Sequence, residues 1–167
     1  MTQNFSFNIK EATSADVPQI VRLVRKLAEY EKLSSEVTAT EELFTRYGFG
    51  ENSYFRALLA ETREGTSSIA IGFALYFFTF STFVGKPTLY LEDLFVLPEF
   101  RGRGVGSQLL KQLARIALQQ DCGRMEWSVL DWNEPAIKIY LSLGAKPMSD
   151  WTLYRLDPAA IKKLAEK

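Results

Sequence analysis

The residues of this chain that could do chemistry gather in a few short stretches. The run Arg101-Gly102-Arg103-Gly104-Val105-Gly106-Ser107 follows an apolar segment at 89–97 and precedes an amphipathic one at 108–120. Strand, glycine-rich turn and helix together aim unpaired backbone N–H groups and the positive end of a helix dipole at an anion. Glycines at alternate positions let the backbone approach a large ligand and permit positive φ. Arg101 and Arg103 flank the turn, and a pyrophosphate is the natural guest. Upstream, Glu92 and Asp93 stand in mid-strand among apolar residues, where strand alternation sends them to opposite faces. Glu92 is the first candidate for taking a proton from a substrate. The ordinary alternative is an edge-strand carboxylate facing solvent or pairing with an arginine. Tyr140 lies on a helical segment beside Ile137 and Leu141 and is either a core tyrosine or a proton donor. The chain has no histidine. Ser-His-Asp triads, Cys-His dyads and histidine metal sites are therefore excluded, and acid–base work falls to Asp, Glu, Tyr, Lys or Cys. A single cysteine, Cys122, also excludes a thiolate zinc site, so no metal is expected.

Three templates compete for the glycine run. A P-loop needs Gly-Lys-Ser/Thr at its end, and Gly106 is followed by Ser107 with no lysine. The dinucleotide fingerprint needs two residues between its second and third glycines, which the Gly-x-Gly-x-Gly spacing lacks. The third, Arg/Gln-x-x-Gly-x-Gly/Ala, is satisfied at every fixed position by Arg101 to Gly106. That pattern resembles the acetyl-CoA-binding segment of the GNAT family of N-acetyltransferases; the bland alternative is a plain glycine-rich turn. The resemblance runs through Tyr90-Leu91-Glu92-Asp93, Phe95-Val96, Gly106-Ser107, Trp132-Asn133-Glu134-Pro135, Tyr140 and Gly144-Ala145. Leu27-Ala28-Glu29-Tyr30-Glu31-Lys32-Leu33 and Gly48-Phe49-Gly50 extend it over nearly the whole chain, and all of these are similar to the diamine acetyltransferases. That subfamily comprises the spermidine/spermine and the thialysine-acetylating enzymes.

The resemblance implies acetyl-CoA as co-substrate and direct attack by a primary amine in a ternary complex. It implies that Leu94, Phe95 and Val96 offer backbone groups to the pantetheine. It assigns Arg101, Gly102, Arg103, Gly104, Val105, Gly106 and Ser107 to the pyrophosphate, with Asn133, Pro135, Ala136 and Tyr140 as further cofactor contacts. Tyr140 matches the tyrosine that faces the CoA sulfur in the family, which makes it the candidate acid; Glu92 matches a glutamate of the amine channel. Tyr30, Glu31, Glu92, Asp93, Glu126 and Trp132 are the candidate acceptor residues, the carboxylates meeting a cation and the rings packing on its methylenes or offering cation–π contact. The chain departs from its polyamine-acetylating relatives in one place. They carry an acidic residue and a tryptophan after the Phe-Thr of the third strand, and Phe78-Thr79-Phe80-Ser81-Thr82-Phe83 has neither. The case for a long polycation is thereby weakened, and the expected acceptor is a primary amine of a small polyamine, a diamine or a lysine-like amino acid, with thialysine, ornithine and short diamines all open. The alternatives are another GNAT acceptor, such as a protein N-terminus or an aminoglycoside, and a non-catalytic acyl-CoA-binding regulatory module. Cys122, at a helix end, is poorly placed as an acyl carrier.

These residues need a scaffold. The chain's 167 residues suit one domain over 1–167, and 47% hydrophobic residues suit a substantial core. Twelve Phe, seven Tyr and three Trp favour a sheet. Phe5, Phe7 and Ile9 alternate as a strand, and Thr13 or Ser14 caps a helix to about Tyr30 whose apolar face is Val17, Ile20, Val21, Val24, Leu27 and Ala28. Thr40 starts a short helix ending near Gly48. Strands are expected at 54–61, 69–80, 89–97, 125–130 and 151–156, and helices after the glycine run, after Asn133 (ending at Gly144) and at 158–167. Short turns make the first strands antiparallel, and a crossover helix makes 89–97 and 125–130 parallel. The expected fold is α/β: a mixed sheet of about six or seven strands with an antiparallel N-terminal half, a parallel pair and helices on both faces. The GNAT resemblance adds that the parallel pair splays apart and takes the pantetheine arm in its wedge. It also implies a two-fold homodimer. Twenty basic and twenty acidic residues cancel, with pI near 6.4, so no basic face for nucleic acid is expected. No secretory signal or membrane-length apolar run is visible, and the lone cysteine suits a reducing, cytoplasmic compartment.

Overall fold

The structure is a computed structural model that describes residues 5–166. The chain divides into two compact units, Met1–Ser128 and Val129–Lys167. The first contains β1 (Asn8–Glu11), α1 (Val17–Glu31), α2 (Glu41–Phe49), β2 (Arg56–Glu64), β3 (Ser67–Ser81), β4 (Lys86–Val96), α3 (Val105–Gln119) and β5 (Arg124–Trp127). They form one sheet in the order β1-β2-β3-β4-β5, antiparallel up to β4 and parallel between β4 and β5. Connection length decides each pairing. Gly65 (φ +61°) and Thr66 alone join β2 to β3, whereas the whole of α3 carries the chain from β4 to β5.

Helices cover both faces of this sheet. Ile20, Leu23 and Leu27 of α1 enter one core with Ala57 and Leu59 of β2, Ala70, Phe73 and Leu75 of β3, and Phe95 of β4. Leu58 projects to the other face, where it lines a groove with Gln112 and Ile116 of α3. Each fully buried Leu or Phe in these layers contributes about 1.5–3 kcal/mol relative to exposure. Polar pegs fix α1 to the sheet. The Gln19 amide oxygen accepts from the Ala70 N–H (2.7 Å), and the Arg22 guanidinium donates to the Ala70 carbonyl (2.5 Å). At its start, the buried Asp16 carboxylate accepts from the Thr13 N–H and hydroxyl (2.8 and 3.0 Å) and from Lys10 Nζ (2.8 Å). Lys10 also pairs with the buried Glu61 at 3.2 Å, so each charge taken out of water has a partner.

Among the described residues, two bulges break the ladders. One leaves Ile71 of β3 without an opposite number on β2. The other lies on β4: Leu75 faces Asp93 and Tyr76 faces Leu91, so Glu92 is the extra residue. The expectation that Glu92 and Asp93 simply alternate is therefore corrected. The bulge inverts the parity of β4. Phe95 and Leu97 lie on the α1 side, and Leu89 and Leu91, although also odd-numbered and buried, pair with Phe78 and Tyr76 on the opposite face.

The second unit holds α4 (Glu134–Ser142) and α5 (Pro158–Ala165). Asn133 caps α4 through its Oδ1, which accepts from the Ala136 N–H at 3.4 Å. Gly144 (φ +85°) ends it, with the Gly144 and Ala145 N–H groups donating to the Leu141 and Tyr140 carbonyls (3.0 and 3.1 Å). Asp157 caps α5 through a 2.7 Å bond from the Ala160 N–H. The expected strand at 151–156 is not formed, which brings the sheet to five strands among the described residues. A strand exists only with a ladder partner, and the second unit has no other strand among its described residues to supply one. Its apolar residues also fall on both parities, and Trp151, Leu153, Tyr154 and Leu156 are all exposed. The first expected strand shrinks for a similar reason. Pairing begins at Asn8, opposite Glu61, and Phe5 and Phe7 are instead in ring contact with each other. Lys167, expected as the last residue of the terminal helix, lies outside the described residues.

Candidate active site

The glycine turn is built as its sequence requires. Gly102 (φ +73°) and Gly104 (φ +82°) adopt left-handed conformations, and a Cβ on either would meet nothing within 4 Å. Backbone conformation, not crowding within the chain, demands glycine at both. Gly104 is the N-cap of α3 and supplies no capping side chain. The first turn of α3, including the Val105, Gly106 and Ser107 N–H groups, therefore has no intrahelical partner, and a dipole summed over fifteen residues stands behind it. Gly106 has ordinary φ, and a Cβ there would rest 3.7 Å from Val96 Cγ2. Nothing inside the protein excludes a methyl at 106, so its absence leaves an open approach above the helix start. Unpaired N–H groups at a helix start with open space before them form an anion cradle, the arrangement that suits a phosphate group.

Next to the cradle, β4 changes partners. Its parallel ladder with β5 ends at Leu91 opposite Trp127, the position at which the bulge begins. Beyond it, among the described residues, Leu94, Phe95 and Val96 remain paired with β3 alone. The strand edge that β5 leaves is where an extended ligand could add as a further strand.

The bulge also crowds carboxylates. Asp93 lies opposite Leu75, whose side chain belongs to the α1-side core. Burial, then the negative charges of Glu92 and Glu31, push the Asp93 carboxyl up to about 7. Glu31, in the last turn of α1, is itself raised by burial. Glu92 is exposed. Glu126 sits opposite Tyr90 on the β4–β5 ladder and is held by Arg124 at 2.9 Å. The first unit thus brings Glu31, Glu92 and Asp93 together, with Glu126 along the same ladder and already ion-paired. Phe80 to Phe83 lie elsewhere. They belong to the end of β3 and its hairpin with β4, with Phe83 94% exposed. Ser81 is six residues along β3 from Leu75, about 20 Å at strand rise.

Both loop arginines lie over aromatic rings. The Arg101 guanidinium is 4.4 Å from the ring centre of Tyr30 and 5.5 Å from that of Phe95, and its Nε–H donates to the Val96 carbonyl at 2.9 Å. Arg103 is 4.8 Å from Phe5 and 5.7 Å from Phe100. Sequence reasoning assigned these arginines to a ligand and missed the rings. The signal was Tyr30 at the end of one apolar helix face, Phe95 on the strand and Arg101 just beyond it, but nothing in their spacing shows that they meet.

In the second unit, Asn133, Pro135, Ala136 and Tyr140 share α4 and its cap, and Trp132 precedes them. Tyr140 is half-buried, and burial raises its phenol above the ordinary value near 10. At neutral pH it holds its proton. Cys122 is half-buried after α3, and burial pushes its thiol up, opposite to what a nucleophile requires.

A profile described as "Acetyltransferase (GNAT) family" matches residues 20–145, most of the chain and all of the cradle and bulge. The chain belongs to the GNAT acetyltransferase family. It is 42% identical to the thialysine N-epsilon-acetyltransferase of Sus scrofa over 166 residues, covering 95% of this chain and 97% of that one. Among solved structures, an integron cassette protein from V. cholerae has a TM-score of 0.78 at 30% identity, covering 98% of this chain and all of the other. An aminoglycoside N-acetyltransferase in complex with CoA has a TM-score of 0.71 at 21% identity, covering 93% and 98%, and shares the fold. This GNAT enzyme is an N-acetyltransferase with acetyl-CoA as co-substrate. No helix among its described residues is long and apolar enough to cross a membrane.

Proposed function

We propose that residues 1–167 act as one catalytic domain that acetylates a primary amine on a small molecule bearing a second charged group, a lysine-like amino acid or short diamine. The observation that carries this reading is the crowding of Glu31, Glu92 and Asp93 at the bulge, where Asp93 is pushed up to about 7. A buried carboxyl under the negative charge of Glu92 and Glu31 is relieved by a cation, and an amine with pKa near 10.4 arrives as one. The 42% identity to a thialysine N-epsilon-acetyltransferase supports a lysine-like acceptor.

Acetyl-CoA supplies the acetyl thioester, and the chain's own groups supply the rest. The glycine cradle and α3 N-terminus hold the pyrophosphate, and Asn133, Pro135 and Ala136 add contacts from α4. The Leu94–Val96 edge aligns the pantetheine, and a backbone N–H there polarises the carbonyl. Glu92, exposed beside Asp93, accepts the proton that the amine sheds on becoming nucleophilic, directly or through water. Asp93, Glu31 and Glu126 hold the cationic part of the acceptor, and Tyr30 and Trp132 pack on its methylenes. Tyr140, protonated at neutral pH, gives its proton to the departing thiolate. Assembly as a two-fold homodimer and a cytoplasmic location complete the reading. The first rests on the subfamily resemblance and on the prevalence of closed dimers, the second on the lone cysteine.

The test is thiol release from acetyl-CoA across amines from ethanolamine through thialysine, ornithine and putrescine to spermine. Lysine-like and short diamines should lead in kcat/KM. Glu92→Gln should raise KM for charged amines and flatten the rise of activity with pH. No turnover with any amine sinks the acceptor reading, and spermine leading by a wide margin sinks its size limit.

A further inference from the structure

We propose that Arg101 is a positioning residue that locks the cofactor loop to the acceptor end of α1 by gripping Tyr30. The loop at 101–104 holds two left-handed glycines with open space around them, so little within the loop itself fixes its course. Arg101 opens it, and its side chain reaches back to two fixed elements. Its Nε–H is bonded to the Val96 carbonyl at the end of β4, and its guanidinium lies 4.4 Å over Tyr30 and 5.5 Å over Phe95. The two rings are in contact with each other, 6.4 Å between centres. Phe95 is 4% exposed and belongs to the α1-side core, and Tyr30 packs on that same core. The rings are therefore a rigid platform, and the arginine is the movable part that fastens the loop to it.

The placement of Tyr30 gives the contact its consequence. Tyr30 immediately precedes Glu31, one of the two carboxylates whose charge bears on Asp93. A cation added beside Glu31 and a pyrophosphate added at the loop thus act on opposite ends of one side-chain contact, and each favours the arrangement that suits the other. This half of the inference rests on the acceptor reading given above; the grip itself does not. A guanidinium can sit over the ring while its Nε–H stays bonded to the Val96 carbonyl, whereas a lysine has a single ammonium for both jobs, so lysine is not an equivalent here.

The test uses CoA alone, so it is read independently of which amine is the acceptor. By calorimetry, Tyr30→Leu should weaken CoA binding about 3–30-fold, the range a partly desolvated cation–π contact represents, although residue 30 belongs to α1 and not to the loop. Tyr30→Phe, which keeps the platform, should stay within two-fold of wild type. Arg101→Gln should weaken binding further, since it also removes a charge near the phosphates. Adding Tyr30→Leu to it should cost nothing more. Additive losses in the double variant, or a Tyr30→Leu protein that is folded and binds CoA like wild type, would overturn the proposal. Arg101→Lys tests the grip separately: it keeps the charge and should still lose most of what Tyr30→Leu loses, and wild-type affinity in this variant refutes the grip.

Discussion

Replacing Asp93 by asparagine should stabilise this protein, and only above about pH 5. The ordinary carboxyl value is 3.8, and in the fold Asp93 is pushed up to about 7 by burial and by the charges of Glu92 and Glu31. Between those limits the folded chain holds a proton that the unfolded chain has released. Stability therefore falls as pH rises through this window, by at most 1.36 kcal/mol per pH unit, or about 4 kcal/mol in all. Asp93 is half-buried, so solvent screening reduces the penalty to about 1–2 kcal/mol. Asparagine keeps the shape and cannot ionise. At pH 8 its melting temperature should exceed that of wild type by about 2–8 °C, at roughly 2–4 °C per kcal/mol for a chain of this size. Near pH 4.5 the two should nearly coincide. The assay is differential scanning calorimetry of both proteins without ligand from pH 4.5 to 8.5. A gap that does not change with pH, or a less stable asparagine variant at pH 8, refutes the reasoning. The same variant should bind charged amines more weakly at pH 8, because the group whose ionisation costs stability is the one that would meet the cation.

Three further outcomes are expected. Gly106→Ala should leave the melting temperature within about 2 °C, since the added methyl meets only Val96 Cγ2 at 3.7 Å, and should change CoA binding little by calorimetry, because the pattern admits alanine there; Gly104→Val should lose CoA binding, while also straining a residue at φ +82°. Tyr140→Phe should lower kcat by about 10²–10⁴, the range of a general acid, with acetyl-CoA affinity little changed; full kcat would make Tyr140 a packing residue. Light scattering at micromolar concentration should give twice the 19.0 kDa of one chain, and a monomer mass would remove the homodimer.

Most of the fold was legible because it is written in local rules. Thr40 caps its helix with its own hydroxyl, Asn133 and Gly144 bracket α4, and apolar spacing marks both large helices. The cradle was legible because Gly102 and Gly104 sit where positive φ is needed. Other features depend on contacts distant in sequence. Leu89, Leu91, Phe95 and Leu97 are all odd-numbered, with only Asp93 interrupting them, so periodicity alone puts Leu91 and Phe95 on one face, and the bulge at Glu92 does not show in it. With the bulge unseen, the crowding that singles out Asp93 was unseen too, and Glu92 drew the attention. At 151–156 the residues are those of a strand, but β propensity creates none without a partner.

The bulge at Glu92 also separates two jobs along one strand. Residues from Asp93 to Val96 keep their register with β3 and their relation to the cradle, and those from Lys86 to Leu91 keep theirs with β3 and β5. The extra residue is a joint at which the inward and outward faces of the strand change places. Loss of a single codon here would not trim the site but turn one half of the strand inside out, sending either Leu89 and Leu91 or Phe95 toward the wrong layer. Drift of acceptor preference is therefore expected to proceed by replacement at this joint and never by a change in strand length. An engineer who wishes to retarget the enzyme has the same constraint, with side chains open to choice and the count of residues in β4 fixed.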